Sequence, residues 1–201
     1  MARTGRPRAF DRDDAIRCAM HLFWQHGYDA TSLDQLRRGM GGISSASFYA
    51  AFGSKETLYR EVLDRYLETH GQVTVSLKDE SLAPREAIER ALRQSARMQT
   101  ELSHPKGCLV VLSTSVSSKE NEPLAALAAA ERRVNRDAIL RCVRSAIASG
   151  ELRKETDVIG LATMIEGMLL GFSMQARDGI EGEALDAAVN SVLVMWDAHK
   201  T

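Results

Sequence analysis

Apolar positions recur at helical spacing along nearly the whole chain. Ile16, Ala19, Met20 and Phe23 fall on the i, i+3, i+4, i+7 positions of one buried face. That spacing predicts a helix from Asp11 to His26, capped by Asp11 or Asp13 and ended by Gly27. Thr31 or Ser32 caps a second, short helix through Arg38, and Gly39, Gly41 and Gly42 break the chain after it. Ser44 or Ser45 caps a third through about Ala51, and Gly53-Ser54 leads into a fourth from Lys55 to about Val75. Beyond Ser81 the predicted helices lengthen: Pro84 to Leu102, Cys108 to Val116, Asn121 to Ser149, Glu155 to Arg177 and Glu183 to His199. Period-two alternation is absent, so the fold class is all-α, with about nine helices. A small N-terminal domain over residues 1–55 and a larger helical one over 56–201 is the expected division.

The third helix has an unusual surface. Ser44, Ser45, Ala46 and Ser47 make its leading end small and polar, while Phe48 and Phe52 give it an apolar back. Three short helices with a glycine-containing turn before the third suit a helix-turn-helix, whose last helix must enter a major groove roughly 12 Å wide. Charge supports the same reading once it is divided. Residues 1–60 hold nine Lys and Arg against six acids, a net of +3, although the whole chain is at −1. Three of those cations, Arg3, Arg6 and Arg8, precede the first acid, as in arms that touch a nucleic-acid backbone. A solvated tail is the alternative for that segment.

Gly27-Tyr28-Asp29-Ala30-Thr31-Ser32-Leu33 resembles the junction between helices one and two of the TetR family of bacterial repressors. Ile43-Ser44-Ser45-Ala46-Ser47-Phe48-Tyr49-Ala50-Ala51-Phe52-Gly53-Ser54-Lys55-Glu56 resembles that family's recognition helix and the start of its fourth helix. The resemblance is strong over residues 11–65 and architectural beyond. It implies that Thr31, Ser44, Ser47, Tyr49 and Lys55 hold phosphates and that Ser45 and Ala46 lie nearest the base edges. Arg3, Arg6 and Arg8 add backbone or minor-groove contacts. The turn Met40-Gly41-Gly42-Ile43 is one residue longer than the family's commonest, so the docking angle of the third helix is open to change.

The resemblance further implies a homodimer on double-stranded operator DNA and a small-molecule effector in the helical core. The last two helices are the expected dimer surface. Gly160, Gly167 and Gly171 would allow a close helix approach, and Leu185, Val189, Val192 and Trp196 would supply apolar contact. Packing only within the chain is the alternative. Candidate pocket walls are Met98, Leu102, Leu109, Leu112, Val116, Met164, Met168 and Phe172, with Ser113 as a polar handle; ordinary core is the competing role for each. Cys108 follows Pro105-Lys106-Gly107 at a predicted helix start, where the dipole and an ammonium lower a thiol pKa. Hence the second version of the function, a repressor sensing oxidants or electrophiles through Cys108.

Other classes have less to stand on. HExxH, GxSxG, GxGxxG and P-loop patterns are missing, so no enzyme is expected and no cofactor is implied. The five histidines are scattered without metal-ligand spacing, and the three cysteines are far apart, which fits a reducing cytoplasm. Met1 to Phe10 lacks the apolar core of a secretory signal. Val158 to Met174 is apolar but carries Glu166 near its middle, so a buried helix is expected rather than a membrane span. A protein-binding helical adaptor remains the bland alternative, with the basic arm and small-faced third helix against it.

Overall fold

The computed structural model describes residues 11–115 and 118–201, and these form nine α-helices. They are α1 (Arg12–His26), α2 (Leu33–Gly39), α3 (Ser45–Phe52), α4 (Lys55–Glu68), α5 (Pro84–Thr100), α6 (Leu109–Leu112), α7 (Glu122–Ala148), α8 (Val158–Arg177) and α9 (Gly182–Asp197). Arg3, Arg6, Arg8 and Val116 lie outside the described residues. Strands are absent among the described residues, apart from one isolated bridge between Leu152 and Lys200.

Most expected helices end within three residues of their predicted bounds, but two came out much shorter. The fourth helix stops at Glu68, because Thr69 turns the chain (φ −118, ψ −93) and a 3₁₀ segment runs from His70 to Lys78. Such segments rarely exceed three or four residues; this one spans nine. The helix expected over 108–116 is a single turn, α6.

Two apolar clusters organise the chain. In the first, Phe23 and Trp24 of α1, Leu36 of α2, Phe48 and Phe52 of α3 and Leu58, Tyr59 and Tyr66 of α4 are all buried. Met98, Leu109, Val110, Leu124 and Ala128 extend that cluster, so the N-terminal helices share a core with α5, α6 and α7. The second cluster joins α5, α7, α8 and α9 around Leu92, Ile139, Val143, Phe172 and Trp196. The forked guanidinium of Arg85 grips Asp197 through two 2.8 Å bonds, and Arg93 donates to Asp186 at 2.7 Å, fixing α5 along α9. Arg85, with Lys200, holds the Asp197 carboxyl at about 2, well below the ordinary carboxylate.

The clusters meet at a polar seam. The Trp24 indole N–H donates to the Gly107 carbonyl at 3.1 Å, and its ring stacks on His104 at 4.4 Å. Arg177, at the end of α8, donates to the Trp24 carbonyl. Asp29 accepts the Ser118 N–H at 2.6 Å and a bond from Asn121.

Candidate functional site

The reading head is built from serine caps. The Ser32 hydroxyl accepts the Gln35 N–H at 3.1 Å while the Gln35 side chain accepts the Ser32 N–H at 2.7 Å, a complete capping box for α2. Ser44 caps α3 by accepting the Ser47 N–H at 3.0 Å, and Ser54 caps α4 by accepting the Thr57 N–H at 2.9 Å. The long turn between α2 and α3 closes through Gly41 (φ +84) and Gly42 (φ +77), a conformation that costs any residue with a Cβ about 1–2 kcal/mol. Gly42 donates to the Arg37 carbonyl at 2.9 Å and the Arg37 Nε to the Ile43 carbonyl at 2.9 Å, so the turn is held by hydrogen bonds.

With Phe48 and Phe52 buried against α1 and α4, α3 presents Ser45, Ala46, Ser47 and Tyr49 outward, all exposed. That face carries no charge. Hydroxyls can meet either base edges or phosphates, and a methyl such as that of Ala46 suits the thymine methyl. The cations around it are already engaged: Arg37 and Arg38 with Asp34, Arg60 with Glu56, Arg12 with Glu61. Lys55 is half-buried with its ammonium 4.1 Å above the Tyr28 ring, and burial lowers its pKa despite the pull of Asp29.

Thr31 departs from expectation. It is fully buried, and its hydroxyl donates to the Gly27 carbonyl at 2.6 Å and to the Leu22 carbonyl at 3.3 Å. Its side chain ties the α1–α2 junction and is out of reach of a phosphate.

A cavity of about 210 Å³ lies between the 3₁₀ segment, α4, α5, α6, α7 and α8. Met98 and Cys108 are on its wall as expected. The other expected wall residues among those described are elsewhere. Leu102, past the end of α5, is 91% exposed. Leu109 and Phe172 are fully buried in the two apolar clusters, and Met164 and Met168 pack on the second. Leu112 packs beside Gly107, and the Ser113 hydroxyl meets the Tyr59 hydroxyl at 2.7 Å. Walls that the periodicity did not reveal are Tyr66, Val73, Val110, Arg132, Asn135, Glu166 and Leu169. The signal for one of them was present: Glu166 is the acid in an otherwise apolar helix. It is buried, with Oε2 accepting from Arg136 Nε at 2.6 Å.

The Cys108 thiol pKa is raised, not lowered. Burial dominates; the hydrogen bonds, of which Tyr66 Oη to Sγ at 3.3 Å is the first, oppose it only in part. A single-turn helix supplies too little dipole to win.

The dimer residues also divide. Leu185, Val189, Val192 and Trp196 are buried in the chain's own second cluster, which leaves them no surface to offer. Gly160 and Gly167 are exposed and Gly171 half-exposed. On the same outer side of α8, Ile159 and Met174 are exposed, as are Val194 and Met195 on α9. α8 is long and apolar enough to cross a membrane by length and composition, yet it packs on α7, α5 and α9 with Glu166 inside.

A capped helix-turn-helix with an uncharged, small-faced third helix, joined to a helical domain that encloses a cavity, defines a DNA-binding regulator. Residues 15–62 match the family model described as bacterial regulatory proteins, tetR family, and residues 84–192 match the tetracyclin repressor-like C-terminal domain. The chain belongs to the TetR family: it is a DNA-binding transcriptional regulator and not an enzyme. The HTH-type transcriptional repressor ComR of Escherichia coli (strain K12) is 31% identical over 196 residues, covering 96% of this chain and 91% of ComR. A cysteine mutant of the TetR family transcriptional regulator CifR, solved with 26 bp double-strand operator DNA, superposes with a TM-score of 0.85 at 40% identity, covering 95% of this chain and 100% of CifR. A TetR regulator from Chloroflexus aurantiacus J-10-FL shares the fold, with a TM-score of 0.76 at 24% identity over 91% of this chain and 92% of its own.

Proposed function

We propose that this regulator is a homodimeric repressor, working in the cytoplasm, that leaves its operator when a small molecule occupies the cavity between α4, α5, α7 and α8. One observation carries the coupling. The stretch Cys108–Val111 forms part of the cavity wall and continues into Ser113. Both ends of that stretch are bonded to α4: Tyr66 Oη donates to Cys108 Sγ, and the hydroxyls of Tyr59 and Ser113 pair at 2.7 Å. The Tyr28 N–H also donates to the Ser113 carbonyl at 2.7 Å. A ligand that moves this wall therefore pulls on α4 and on the α1–α2 junction together.

Two reading heads must sit roughly 34–36 Å apart to engage successive major grooves, so a shift of α4 disengages one of them. The dimer face that fits this reading is the outer side of α8 and α9, with Gly167 and Gly171 permitting close approach and Val194 and Met195 giving apolar cover. Ser44, Ser45, Ala46, Ser47 and Tyr49 face the groove, Ser44 and Ser47 toward phosphates, and Arg3, Arg6 and Arg8 add backbone contacts.

Linkage provides the test. An effector that releases the operator must bind the free dimer more tightly than the DNA-bound dimer, by the same factor that it weakens DNA binding. Anisotropy titrations of labelled operator with and without ligand, and of ligand with and without operator, give the two factors. Equal ligand affinity for free and DNA-bound dimer refutes the mechanism.

A further inference from the structure

Within the effector reading above, on which this inference rests, we infer that the ligand carries a hydrogen-bond donor, an amine N–H or a hydroxyl, directed to Glu166. Glu166 is the deepest charged group on the cavity wall. Its side chain is 8% exposed, and the Arg136 guanidinium takes only Oε2, at 2.6 Å. Oε1 is buried and has no hydrogen-bond partner among the described residues. A buried carboxylate oxygen without a donor is costly, and filling the site with a donor recovers that cost.

The buried Gln99 and the half-buried Arg132, Thr74 and Asn135 on the cavity wall each hold a partner already. Gln99 donates to Ser95 Oγ at 2.7 Å and accepts from Ser173 Oγ at 2.7 Å. Arg132 Nη1 donates to the Val110 carbonyl at 2.6 Å. Thr74 Oγ1 donates to Asn135 Oδ1 at 3.0 Å. Among the described wall residues, Glu166 Oε1 is the fully buried side-chain atom without a hydrogen-bond partner, and it is an acceptor. Glu131 and Arg132 also line the wall, one of each sign, so the deciding contact is Glu166 Oε1, where a ligand carboxylate would bring an acceptor and a like charge against an acceptor. Met98, Val110 and Leu169 offer an apolar seat for the rest of the molecule. The ligand class is a small amphiphile with a donor head, not an organic acid.

Four probes of similar size separate the possibilities in calorimetric titrations of the full-length protein: 2-phenylethanol, 2-phenylethylamine, the methyl ether of 2-phenylethanol, and phenylacetate. The expected result is that the alcohol, the amine or both bind at least tenfold tighter than the ether, a gap of about 1.4 kcal/mol, and that phenylacetate binds weakest. Glu166→Leu, which removes the acceptor, closes the alcohol–ether gap. Glu166→Gln keeps an acceptor without the charge, so it retains the alcohol and weakens the amine. The comparison in the unaltered protein stands even if either variant fails to fold. Ether or phenylacetate binding as tightly as the donor probes overturns the donor assignment but leaves the cavity as an effector site. No heat from any of the four probes overturns the effector cavity, and the donor assignment with it.

Discussion

Gly107→Ala should damage the joint between reading head and effector domain. Gly107 sits at φ +88, where a residue bearing a Cβ costs about 1–2 kcal/mol. The added Cβ would lie 2.4 Å from Leu112 Cδ1 and 3.0 Å from the Ser173 carbonyl oxygen. Leu112 can swing aside, but Ser173 is main chain within α8 and cannot. Overpacking of this kind costs about 1–3 kcal/mol. The sum is about 3 kcal/mol, against a total stability of about 5–15 kcal/mol. For a chain of this size that corresponds to a fall in Tm of about 6–12 °C. Because Trp24 donates to the Gly107 carbonyl, its fluorescence should change in the folded state as well. Thermal and urea unfolding at one fixed protein concentration, followed by Trp fluorescence, read both effects. A fall in Tm below about 2 °C with an unchanged urea slope would refute the packing argument.

Four further outcomes are expected. Tyr59→Phe leaves the Ser113 hydroxyl buried without its partner; it should cost about 1–2 kcal/mol in urea unfolding and reduce the effect of a ligand on operator affinity. Ser44→Ala removes the α3 cap and should cost about 1 kcal/mol, whereas Ala46→Glu should leave unfolding unchanged and abolish operator binding in a gel shift. Val194→Asp on the exposed side of α9 should shift the sedimentation profile toward monomer without lowering the helical signal. Burial, helped by His104, lowers the pKa of His70, and burial with His104 and Arg17 lowers that of His21. The unfolded chain therefore binds more protons below its own histidine pKa of about 6.5. Stability is full above that pH and falls as pH drops through the folded values; His70→Asn should flatten the Tm profile over this window.

The reading head was legible because its signals are local. Three serines each cap the helix that follows, and paired glycines mark the turn, so residues 27–56 declare their geometry within a few positions. Thr31 misled because a buried hydroxyl and an exposed one look alike in sequence. The effector domain was legible only as architecture. α8 and α9 are apolar on both sides, so periodicity gives no means of telling the face that packs inward (Leu185, Val189, Trp196) from the face left outside (Val194, Met195). The cavity wall is drawn from six separate segments, and one of these, the 3₁₀ stretch, exists because Thr69 ends α4 early. Glu166 was noticed as an interruption of an apolar run, but its neighbour Arg136 comes from another helix, a pairing that only the tertiary fold creates.

That 3₁₀ stretch also has a mechanical meaning. A 3₁₀ helix rises about 2.0 Å per residue and an α-helix about 1.5 Å. His70–Lys78 has nine residues, so rewinding it as α-helix would shorten the tether between α4 and α5 by roughly 4–5 Å. The length of the tether is thus set by the hydrogen-bond register of a cavity wall, and a ligand that favours one register over the other would act on α4 as a change in cord length rather than as a push.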